Sequence, residues 1–242
     1  MRRTMAPLII AGLLFSSAAE AEIHMVAADL PPFSMSDSAD KPGFVVELAQ
    51  AAFERARIPF NLEFMPWARA QNAAKTEPDT VILCLTRTPD RENDYKWVVE
   101  VLKPKLVFVS AKPTAPVNSF DEARSLAHIT VRASTNFEEM LRQKGILNIE
   151  TVQKEEQNAQ KLEVQHADAW LSYDLRARWV WRNMGADPAK LVIGKSMAED
   201  SLQIGASKNM SDDTAVKISA AVEALRQDGT YRTIYTKYFG ED

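Results

Sequence analysis

Strand-like and helix-like segments alternate along this 242-residue chain, and that alternation limits the possible folds more than any other property of the sequence. Residues 23–28 read as a strand, 44–57 as a helix with its apolar residues on one face, and 60–64 as a strand. Pro66 suits the first turn of a short helix running to about 75, and 80–85 and 106–111 read as further strands. Pro113 and Pro116 mark the most linker-like stretch. The pattern then restarts. Strands at 129–131, 149–152, 169–172, 191–193 and 202–207 are interleaved with helices at 137–144, 155–165 and 175–183; Gly145 and Gly185 stop the first and last of these helices. Ser211 caps a longer helix to 227, with Asp212 and Asp213 favouring its dipole, and a last helix covers 231–238. Repeated strand–helix–strand units imply an α/β fold with parallel sheets. Two successive runs, parted near 113–116, imply two lobes. Ligands of open α/β sheets lie at the carboxyl ends of strands, so the cleft between the lobes is the expected site.

The first 21 residues are expected to be a signal peptide and so to lie outside that fold. Arg2 and Arg3 form a positive start, residues 5–15 are mostly apolar, and Ala19-Glu20-Ala21 is an A-x-A cleavage pattern. The apolar run, roughly 11 residues, is short of the ~20 needed to span a membrane, and no cysteine lies near the cleavage point for a lipid anchor. Export to the periplasm follows. The net charge of −4 becomes one unit more negative without the leader, which argues against a nucleic-acid partner. Cys84 is the one cysteine, so no internal disulfide can form; its apolar surroundings suggest a buried, inert thiol.

Four segments, in order along the chain, resemble the bacterial extracellular solute-binding proteins that include the periplasmic amino-acid receptors of ABC importers. They are Asp29-Leu30-Pro31-Pro32-Phe33, Gly43-Phe44-Val45-Val46-Glu47-Leu48, Thr86-Arg87-Thr88-Pro89-Asp90-Arg91, and the ending from Ala224 through Asp228-Gly229-Thr230 to Lys237-Tyr238-Phe239-Gly240. The resemblance implies a two-lobed periplasmic-binding-protein fold of type II, two α/β lobes joined by two hinge strands. Residues 22–110 and 203–242 would form lobe one and 114–199 lobe two, with hinges near 110–112 and 200–203, closing on ligand by a hinge motion. It further implies a monomer without cofactor that captures an amino acid or similar small carboxylate and delivers it to a membrane permease.

The same resemblance places Arg91 on the ligand carboxylate, where a guanidinium can donate two parallel hydrogen bonds. By the residues alone, Arg91 reads as a solvated arginine paired with Asp90, Glu92 or Asp94, and only the motif around it points to the ligand. Thr86 would add its hydroxyl or N–H to that carboxylate, or serve as a strand-end turn residue. Ser134 and Thr135 precede a helix start, which offers unpaired N–H groups to an anion as well as ordinary capping positions. Trp67 can stack on a ligand or pack in the core, and Phe33 can line the cleft or lie beneath it. Arg69, two helical residues from Trp67, points elsewhere. Trp170, Trp179 and Trp181 are expected to pack lobe two.

The resemblance breaks at one informative place. Where the family's amino-acid receptors commonly carry an aspartate for the ligand ammonium, this chain has Tyr173, and Asp174 is one residue out of register. Either a bulged strand end still brings Asp174 to the cleft, or the ligand lacks an α-ammonium; by its position Asp174 also reads as a helix cap. His24, His128 and His166 show no metal-ligand spacing. Gly194-Lys195-Ser196 lacks the earlier glycine of a phosphate loop, and no nucleophile elbow is present. Catalytic residues are therefore not expected. The alternatives are a sensory or accessory binding protein serving a partner other than a permease, and a periplasmic enzyme similar to cyclohexadienyl dehydratases.

Overall fold

The computed structural model describes residues 22–240; the expected signal peptide lies outside them. In chain order the first elements are β1 (Ile23–Ala27), α1 (Phe44–Ala56), β2 (Phe60–Phe64), α2 (Trp67–Thr76), β3 (Thr80–Thr86), β4 (Lys96–Leu102) and β5 (Lys105–Ala111). Next come α3 (Phe120–Arg124), β6 (Ile129–Arg132), α4 (Asn136–Gln143), β7 (Ile149–Val152), α5 (Glu155–Glu163), β8 (Ala169–Tyr173) and α6 (Asp174–Asn183). The chain ends with β9 (Leu191–Ile193), β10 (Ala198–Glu199), β11 (Leu202–Ala206), α7 (Asp212–Gln227) and α8 (Thr230–Phe239).

Two sheets result, ordered β2-β1-β3-β11-β4 and β10-β5-β8-β6-β7, with β9 also on β5. Helices cover both faces of each. In the second sheet Val107, Val109 and Ala111 of β5 face Ala159, Leu162 and Trp181, while Leu106 and Phe108 face the other way, towards the cluster holding Phe137 and Leu141. That period of two, buried on both sides, is what a central strand requires. Trp170 and Trp181 are fully buried in the same packing.

Three expectations change. The sheets are mixed: β1, β2 and β3 run parallel, as do β6, β7 and β8, but β11 is antiparallel to β3 and β4, and β5 is antiparallel to β8, β9 and β10. The antiparallel members are strands next to where the chain changes sheet. β4, absent from the sequence reading, closes one edge of the first sheet. The change of sheet falls at 103–104 and again at 200–201, so residues 110–112 lie at the end of β5 inside the second sheet. The two crossings touch, Asp200 N–H donating to Pro104 O at 3.1 Å.

One loop depends on a glycine. The segment after β1 folds back on the start of α1, Phe44 and Val45 donating their N–H groups to Pro32 O and Phe33 O at 3.0 and 2.8 Å. Gly43 lies beneath it with φ of 103°, and a Cβ there would stand 2.5 Å from Ser34 Cα. Both the left-handed backbone and the close approach require glycine. Gly43→Ala is expected to lower the unfolding free energy by ~2–4 kcal/mol; an unchanged urea midpoint would contradict this account of the loop.

Candidate functional site

A cavity of about 800 Å³ lies between the two sheets, walled by residues from both. Nearly every wall residue sits just beyond the carboxyl end of a strand. Leu30 and Phe33 follow β1, Trp67 and Gln71 follow β2, and Thr86 and Arg91 end or follow β3. From the other half come Arg132 to Glu139 after β6, Glu155 after β7, and Tyr173 and Arg176 at the end of β8. Strand termini gather here because helices occupy both faces of each sheet, leaving the ends as the open surface.

Of the residues singled out in the sequence, Arg91, Thr86, Trp67, Phe33, Ser134, Thr135 and Tyr173 all line this cavity. Arg91, half-buried at the end of the 3-10 turn Pro89–Arg91, donates from Nη1 to Thr86 O at 3.3 Å and forms no salt bridge with Asp90, Glu92 or Asp94 among the described residues. Glu92 takes Arg87, and Asp94 takes Lys75. Phe33 is buried and meets Tyr173 edge-on at 6.0 Å between ring centres, one ring from each half. Arg69 is exposed and is not part of the wall.

Asp174 is not brought to the cavity. Its carboxylate accepts from Leu175 N–H at 2.8 Å and Lys105 N–H at 3.0 Å, tying the start of α6 to the start of β5. The strand end is not bulged towards the cleft, so β8 delivers Tyr173 instead. The Tyr173 hydroxyl donates to Asp200, and burial first, then the Asp200 carboxylate, hold the phenol above its ordinary range. Tyr173 is a neutral aromatic wall with a tethered tip.

The start of α4 is also different from expectation. Thr135 caps the helix through Oγ1, which accepts from Glu138 N–H at 3.4 Å, and the Glu138 carboxylate reaches back to Ser134 N–H at 2.8 Å. A carboxylate of the chain therefore already sits on the N–H group expected to face the ligand. Arg142, then Ser134 N–H, hold the Glu138 carboxyl below its usual range.

Six charged wall residues were not singled out in the sequence: Arg132, Glu138, Glu139, Arg142, Glu155 and Arg176. Arg176 and Glu155 are both buried and pair at 3.3 Å. Arg176 Nε also donates across the cleft to Pro31 O at 3.0 Å, and its guanidinium lies over Phe33 and Tyr173 at 5.2 and 5.4 Å. Glu155 accepts from Asn158 Nδ2 at 2.9 Å. Arg132 ends β6. Arg132, Glu155 and Arg176 stand at or within three residues of a strand's carboxyl end, where the ligand contacts of such sheets gather.

Cys84 borders the cavity with φ of 60°, where the pairing of β3 with β11 slips out of register. Such a bulge turns a side chain that a regular strand would send elsewhere. Its Sγ donates to Ser34 Oγ at 3.6 Å, and burial pushes the thiol up to about 12, against the Ser34 hydrogen bond. Among the described residues no group of three His, Cys, Asp or Glu side chains is placed to hold a metal, and no helix is long and apolar enough to cross a membrane.

Two α/β lobes with the cavity at facing strand ends define the type II periplasmic-binding-protein architecture. The GluR0 ligand-binding core from Nostoc punctiforme, solved with L-glutamate, superposes with a TM-score of 0.74 at 20% identity, over 90% of this chain and 100% of that one. The arginine-, lysine-, histidine-binding protein ArtJ of Geobacillus stearothermophilus gives 0.71 at 19% identity, over 92% and 96%. At these identities the likeness carries the fold. The sequence carries the rest: residues 23–241 match the family of bacterial extracellular solute-binding proteins, family 3, and the chain belongs to it. A curated relative, "Probable amino-acid-binding protein YxeM" of Bacillus subtilis (strain 168), is 22% identical over 215 residues, 87% of this chain and 81% of that one.

Two outcomes follow from the placements. Cys84 in the folded protein is expected to react with iodoacetamide at pH 8 at least tenfold more slowly than in urea, since the thiolate is the nucleophile; equal rates would show the thiol to be open and ionisable. Asp174→Ala is expected to cost about 1 kcal/mol of stability through the lost hydrogen bonds from the Leu175 and Lys105 N–H groups while leaving ligand affinity unchanged; a large loss of affinity without loss of stability would return Asp174 to the site.

Proposed function

We propose that the protein, exported to the periplasm, captures an amino acid or similar small carboxylate between its lobes and delivers it to the permease of an ABC importer. The lobes comprise 22–102 with 202–240, and 105–199, and swing about the crossings at 103–104 and 200–201. The observation that carries this reading is the meeting of Arg91 with side chains of both lobes around one cavity. Arg91 spends one of its five N–H donors on Thr86 O, and the remaining fork suits a carboxylate. Thr86 borders the same space, and Trp67 and Phe33 supply aromatic walls. Tyr173 replaces the acid with which amino-acid receptors of this family commonly hold an ammonium, so the carboxylate end of the ligand dominates recognition. The Arg176–Glu155 and Arg142–Glu138 pairs hold the wall in place around that space.

Thermal denaturation of the purified protein against a panel of amino acids, opines and dicarboxylates tests this. A ligand at a hundred times its dissociation constant adds about 2.7 kcal/mol of stability. Arg91→Ala is expected to abolish the shift from every carboxylate hit, and a shift that survives intact removes Arg91 from the site. Prephenate and arogenate are expected to pass through unchanged.

A further inference from the structure

We infer that the cavity selects a ligand with two anionic groups, such as a short dicarboxylate, and that Arg132 holds the second of them. This rests on the receptor reading above and narrows its ligand class.

The inference comes from the charges in the wall. Four arginines line it, Arg91, Arg132, Arg142 and Arg176, against three glutamates, Glu138, Glu139 and Glu155. Arg142 is matched by Glu138 at 2.9 Å, and Arg176 by Glu155 at 3.3 Å. Glu139 is exposed and accepts from the Gln143 amide at 3.1 Å. Neither Arg91 nor Arg132 forms a salt bridge among the described residues; Asp90, which interacts with Arg91 through space, is exposed to solvent. They come from opposite halves, Arg91 following β3 and Arg132 ending β6, and both are half-buried. Partial desolvation makes an unmatched guanidinium more demanding of an anion than one in water.

The acids give the complementary result. Glu155 is the one buried carboxylate in the wall, and Arg176 and Asn158 already hold its oxygens. Tyr173 offers a phenol whose proton is committed to Asp200. A ligand ammonium therefore meets no unspent buried acid, whereas two separated anionic groups meet one open guanidinium each. Selection against cations follows from the same count, because a positive ligand would add to an excess of positive charge.

Isothermal titration of the purified protein at low salt with succinate, glutarate, butyrate and L-arginine tests this. Succinate or glutarate is expected to bind at least tenfold more tightly than butyrate, and arginine not to compete. Arg132→Gln should weaken the dicarboxylate roughly 10- to 100-fold, the size of a lost charge-assisted hydrogen bond, and leave butyrate within about twofold. Arg91→Gln should weaken both. Arg132→Lys, which keeps the charge without the fork, is expected to fall between and serves if the glutamine variant folds poorly. Arginine or butyrate binding as tightly as the dicarboxylates, and lost in Arg91→Gln, overturns this inference and leaves the receptor reading standing. A dicarboxylate affinity unmoved in Arg132→Gln also overturns it. A protein that binds none of the carboxylates overturns both.

Discussion

One buried cation joins the two halves across the cavity. Arg176 belongs to the second half, pairs there with Glu155, and reaches across the cavity to the carbonyl of Pro31 in the first. Taking two ions out of water costs several kcal/mol each, and only good geometry with further hydrogen bonds offsets that. Here Asn158 supports the glutamate, Thr130 donates to Asn158 Oδ1 at 2.5 Å, and two aromatic faces take the flat sides of the guanidinium. The Pro-Pro-Phe loop can present Pro31 and Phe33 to Arg176 only because Gly43 lets it lie flat on the first helix. A motif at one end of the sequence and an arginine 145 positions later are thus parts of one contact.

Much of this arrangement was legible in the sequence, and the failures have physical causes. Elements with a clear period appeared where expected, because periodicity reports which face is buried. β4 escaped because it is an edge strand: Lys96 and Glu100 interrupt its apolar residues and its outer side has no partner. The sheet change was misplaced because prolines drew attention to 113–116. Those residues lie on the second half, while the real crossing is the unremarkable pair Lys103-Pro104. Which sheet a strand joins is a non-local matter. Nothing inside 105–111 announces β8 as its neighbour.

The cavity shows the same division. Arg91 and Thr86 came with a recognisable segment, and Tyr173 with a departure from one. Arg176 and Glu155 were hidden because their pairing joins the starts of two successive helices across a strand, which no local pattern announces, although each stands where strand-end reasoning places ligand contacts. The Glu138 contact was foreseeable in kind. Thr135 followed three residues later by Glu138 is a capping-box pattern, and a helix start that has its own acid is already partly satisfied before any ligand arrives.

The paired crossings have a mechanical consequence. Two short tethers bonded to each other through Asp200 and Pro104 resist torsion and sliding more than bending, and in the hinge motion proposed above they would leave the halves one soft rotation. Asp200 also receives the hydroxyl of Tyr173, whose ring forms part of the chamber wall. The crossing and the chamber therefore share a hydrogen bond, and in the proposed closure whatever presses on that ring would be felt at the axis.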